Sequence, residues 1–166
     1  MSSPSRAVRL HEPSALKTVL LATLIAGTLD ITAAVIQVSI KGVEPIKIGY
    51  YIASGVFGKE VAYGSGQWMA LVGLFFHYVI AFIWSVFMFL VYPRVKKILK
   101  NKVLIGVLYG IFVWAIMNLV VVPFSNTPKS PLKLQGAIIA CLILIFCIGI
   151  PICLIVDRYY SKRGIS

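Results

Sequence analysis

WMALVGLFFHYVIAFIWSVFMFLVY, residues 68–92, decides the class of this protein. The run contains no Asp, Glu, Lys or Arg, and His77 is its most polar ring. A helix needs roughly 20 apolar residues to cross the hydrocarbon of a bilayer, and this run meets that length. A helix on the surface of a soluble domain would show a charged face, and no face here carries charge. The solvent for this segment is therefore lipid.

Three further blocks of the same kind lie at 18–40, 103–124 and 136–156. Together they predict an all-α integral membrane protein, a bundle of four transmembrane helices. The bundle forms a single domain over 18–156 between polar tails at 1–17 and 157–166. Of 166 residues, 60% are hydrophobic and 13% charged, against about 45–50% and about 25% in soluble domains. Mean hydropathy is +0.94. The first block is longer than the roughly 7–15 apolar residues of a signal-peptide core, so it reads as a span.

The net charge of +11 lies between the apolar blocks, which excludes a nucleic-acid reading and makes the basic residues topology signals. Eleven of the sixteen Lys and Arg fall in the two tails and the 93–102 loop, and five in the 41–67 and 125–135 loops. With four spans the first group shares one side, so both termini are expected in the cytoplasm. Arg94, Lys96, Lys97, Lys100 and Lys102 would then meet anionic lipid headgroups.

Between the first two spans, the stretch from Pro45 to Gly58 predicts a short helix in the outer interface, or one re-entering slightly. It reads as a packed connector, with a lid over the bundle as the functional alternative. Pro93 and the basic residues after it should stop the second span, and Pro123, Pro128 and Pro131 should break the chain between the last two. Trp68, Tyr92, Tyr159 and Tyr160 fall where an aromatic belt belongs. Cys141, Cys147 and Cys153 recur every six residues, about 120° apart around a helix, which suits packing rather than a metal or redox pair.

Each span carries one stripe of small or polar residues. The first has Thr23, Gly27, Asp30, Ala34 and Gln37; the second Ala70, Gly73, His77, Ala81 and Ser85; the third Gly106, Gly110, Trp114 and Asn118; the fourth Gly136, Ala140 and the Cys147–Pro151 region. Small residues let helix backbones approach, so these stripes are the expected inner faces. At 1.5 Å per residue, Asp30 lies about 18 Å from the cytoplasmic end of its helix and His77 about 14 Å from the outer end of the next. The two should meet near the bilayer centre, with Asn118 and Gln37 as further polar groups of a midplane site. A carboxyl at that depth is costly, and such residues usually line a path or a site. Pro151 predicts a helix kink that frees the Cys147 carbonyl. No metal-binding, phosphate-binding or nucleophile motif is present, so neither a cofactor nor an enzyme is expected.

The stretch MFLVYPRVKKILKNKVLIGVLYGIFVWAIMNLVVVPFSNTP (88–128) resembles the YagU-like group of bacterial inner-membrane proteins. The matching positions are Tyr92-Pro93 with the basic residues after them, Gly106, Gly110, Pro123 and Pro128. Upstream, His77 after Leu71–Gly73 and the run Leu24–Gly27 belong to the same resemblance. It implies a small protein of the bacterial inner membrane and assigns no activity. The expected function is transport, permeation or sensing at the polar midplane site, with a homo-oligomer needed for a pore. The rival expectation is a membrane scaffold whose buried polar groups only fix helix packing.

Overall fold

The computed structural model describes residues 14–129 and 133–164, which are helical throughout apart from short turns. In chain order the helices are α1 (Ala15–Ile40), α2 (Ile46–Phe57), α3 (Lys59–Gly64), α4 (Trp68–Ile98), α5 (Lys102–Phe124) and α6 (Leu134–Lys162). α1, α4, α5 and α6 are long and apolar enough to cross a membrane, the mark of a multi-pass membrane protein. Their outer surfaces suit lipid: Leu71 is 69% exposed, Phe75 65% and Leu90 62%. Pro131 lies outside the described residues.

α6 is the central helix, packing on α1, α4 and α5, while α4 and α5 touch each other at few points. Glycines set the closest crossing. A Cβ on Gly110 would stand 2.5 Å from the Ile145 Cα, and one on Gly106 would stand 2.9 Å from the Ile150 Cα. No side chain fits there, so the two backbones lie against each other. Gly136, expected on the inner face, instead borders open space.

The gap between α4 and α5 is filled at one end by α2. Gly73 on α4 receives the backbone of Gly49, and a methyl there would overlap the Gly49 carbonyl. At its other end α2 is held by the turn after α5: Asn126 donates its backbone N–H to the Gly55 carbonyl (3.1 Å) and its amide to the Val56 carbonyl (3.2 Å). These carbonyls belong to the last turn of α2, where helix acceptors lack partners of their own. Gly58, at φ 80°, then turns the chain into α3.

The prolines behave differently from expectation. Pro93 does not stop its helix; α4 continues to Ile98. Proline removes the N–H that would serve the carbonyl four residues back, here Phe89. The Tyr160 hydroxyl on α6 donates to that carbonyl at 2.9 Å instead. Pro123 likewise sits inside the helix, which ends at Phe124. Pro123 and Pro151 each follow a π-helical segment, Met117–Val121 in α5 and Ile145–Gly149 in α6. The wider turn shifts hydrogen bonds to the fifth residue and relieves the clash of the proline ring. At Pro151 the expected kink is thus a widened turn.

Candidate functional site

α1 and α4 bring Asp30 and His77 to the wall of one cavity of about 250 Å³. Its other walls are apolar: Ile48 and Ile52 of α2, Trp84 of α4, Val113 and Met117 of α5, Leu144 and Ile148 of α6. Asp30 and His77 are the only ionisable groups in this lining. Met117 and Ile148 belong to the two π-helical segments. Such segments are frequent at functional sites because they displace side chains from the regular helical register.

Asp30 and His77 do not bond to each other. The His77 ring nitrogen Nε2 lies 2.8 Å from the Gly27 carbonyl. A carbonyl oxygen only accepts, so Nε2 carries the hydrogen of this bond and Nδ1 is not engaged by it. This bond ties α4 to α1, one turn from Asp30. Among the described residues the Asp30 carboxyl has neither a hydrogen bond nor an ion pair. It is half-buried and lines the cavity. A carboxyl so placed has the cavity, and the His77 ring on the same wall, as the source of a proton or a polar partner.

The other expected members of the site are elsewhere. Asn118 donates to the Trp114 carbonyl one turn back (3.0 Å) and lines a separate, wider cavity of about 730 Å³. Lys41, Tyr51 and Lys133 share that cavity with it. The two cavities lie on either side of one contact zone, because Tyr51 and Asn118 line one while their chain neighbours Ile52 and Met117 line the other. Gln37 is half-buried two turns beyond Asp30 and lines neither cavity. Gly27 is buried against Tyr78, and Gly73, Gly106 and Gly110 are buried at helix crossings.

One polar cluster escaped the sequence reading. Asp157, 6% exposed, accepts from the Tyr92 hydroxyl (2.5 Å), from Lys96 (3.0 Å) and from Lys102 (3.3 Å). It joins the end of α4, the start of α5 and the end of α6. Tyr92 and Tyr159 are accordingly buried, not part of a lipid-facing belt. Lys96 and Lys102 have an internal partner rather than a headgroup alone. The signal was available: Asp157 is the first acid after Glu60, and it falls at the chain end that carries the 93–102 lysines.

Cys153 donates its thiol to the Lys102 carbonyl (3.0 Å), and all three cysteines are free thiols. Among the described residues no three His, Cys, Asp or Glu side chains converge as metal ligands would. Comparison of the chain with protein-family models, with curated proteins and with solved structures found no match.

Proposed function

We propose that the protein conducts protons, alone or with a small solute, through the cavity at Asp30. The observation that carries this reading is a carboxyl with no hydrogen bond or ion pair among the described residues, lining a cavity inside an apolar bundle with His77 beside it. Burying such a group without compensation is expensive, and intramembrane acids that face cavities serve ion and proton pathways. In this reading Asp30 takes up and releases the proton. His77, through Nδ1, is its nearest exchange partner.

α2 re-enters from the outer side and covers the site, with Ile48 and Ile52 as the apolar seal. Asn118 stands beyond that seal, at the mouth of the path. The basic residues between the spans support cytoplasmic termini in this reading, and the resemblance to the YagU-like group supports a bacterial inner membrane. The short chain favours a homo-oligomer as the working unit. The competing scaffold reading draws on the His77–Gly27 bond, which by itself only ties two helices together.

The test is proton flux into liposomes under an imposed potential, comparing wild type with Asp30→Asn at equal incorporation. The amide keeps the shape and removes the titration. Flux that disappears in Asp30→Asn establishes the acid as the proton site. Absence of flux from both proteins favours the scaffold.

A further inference from the structure

α4 and α5 follow each other through a short turn; their backbones touch at few points, and the Tyr109 hydroxyl of α5 bridges them by donating to the Trp84 carbonyl of α4 (2.6 Å). α2 fills the gap at the end distant from this turn. At the near end the gap stays open as a groove of about 340 Å³, with Phe87, Met88, Val95 and Leu99 on one wall and Leu108 and Phe112 on the other. From Phe87 to Leu99 it runs about 18 Å along the helix, close to the depth of one leaflet's hydrocarbon, half of about 30 Å. Aromatic rings of the two walls meet at its far end: Phe87 stacks on Tyr109 and on Phe112, with centroids 6.3 and 5.8 Å apart.

Charge marks the end of the groove beside the turn. Arg94 precedes the lining residue Val95, and Lys100 follows the lining residue Leu99. Both are exposed and have no ion-pair or hydrogen-bond partner among the described residues. Lys96 and Lys102, from the same segment, are instead drawn to Asp157. We infer that the groove seats one phospholipid with an anionic headgroup, its acyl chain between the apolar walls and its phosphate bound by Arg94 and Lys100. A second copy of the chain fits less well. Two copies inserted in the same orientation and meeting at this face would bring their Arg94 and Lys100 side chains together, and like charges oppose that contact. The site is independent of Asp30 and of any transport activity.

The test uses the full chain in vesicles of equal parts phosphatidylglycerol and phosphatidylcholine, followed by native mass spectrometry of the released protein. Wild type is expected to retain one phosphatidylglycerol, with a preference over phosphatidylcholine of roughly 30-fold for two surface cations. Arg94→Gln with Lys100→Gln removes the preference and leaves chain binding. Leu108→Trp fills the groove from a half-exposed position and removes retention of both lipids. Equal retention of the two lipids by wild type, or unchanged retention in both variants, overturns the assignment. So does release of a lipid-free dimer, which would give the groove to a second copy.

Discussion

At the scale of single residues, two aspartates face opposite situations. Asp157 is enclosed by a hydroxyl and two ammonium groups, whereas Asp30 lines a cavity with no hydrogen bond or ion pair among the described residues. Substitution should separate them. Asp157→Asn leaves the Lys96 ammonium, whose side chain is 17% exposed, without its counter-charge, and should cost about 3 kcal/mol of unfolding free energy in detergent. Lys102→Gln, at a side chain 49% exposed, should cost less than about 1 kcal/mol by the same measurement. His77→Ala removes a hydrogen bond to backbone and should cost about 0.6 kcal/mol, the average for membrane bundles. A double-mutant cycle of Asp30→Asn with His77→Ala should show a coupling of about 0.5–1 kcal/mol, the low end for side chains that share a cavity without bonding. A larger coupling would restore the direct contact that their positions in the two stripes suggested. That Asp30 and His77 point inward was legible from the spacing of small residues. That His77 bonds to the Gly27 carbonyl was not, because helical periodicity places a side chain on a face without selecting its partner there.

At the scale of elements, glycines and prolines decide how closely helices approach. Gly110→Ala sets a methyl against the Ile145 backbone and should destabilise the α5–α6 pair by about 1–3 kcal/mol, read from thermal unfolding in detergent. Gly136→Ala, at a position facing open space, should change stability by less than about 0.5 kcal/mol. Gly73→Ala has a different expected effect, since its methyl meets the backbone of α2 rather than of a spanning helix. It should displace α2 and raise proton flux in liposomes; unchanged flux would remove α2 from the role of cover. The presence of α2 between Pro45 and Gly58 was readable from its sequence. Its seat against Gly73, Asn126 and the Asp30 cavity depends on three distant segments. Pro93 shows the same limit. Its local chemistry favours a stop, and a hydroxyl from α6 supplies the donor that lets α4 continue.

At the scale of the whole molecule, charge between the spans predicts the orientation. With Cys141, Cys147 and Cys153 replaced by Ala, single cysteines at Lys100 and Ser161 should react with an impermeant maleimide from the cytoplasmic side, and one at Ser65 only from the outer side. Labelling of all three from one side would overturn the topology. The amino-acid sequence by itself determined the suitability for lipid, the number of candidate spans and many of the residues that face inward, with Gly136 and Asp157 as exceptions. Each of these follows from local hydropathy and helical period, which require no knowledge of neighbours. The tertiary structure decided what those inward residues touch. It left Asp30 without a hydrogen bond or ion pair among the described residues, enclosed Asp157 between three helices, set Ile48 and Ile52 of α2 in the cavity wall and left a groove between α4 and α5. Those outcomes depend on side chains far apart in the chain meeting at distances of about 3 Å, and no pattern along a single helix encodes such a meeting.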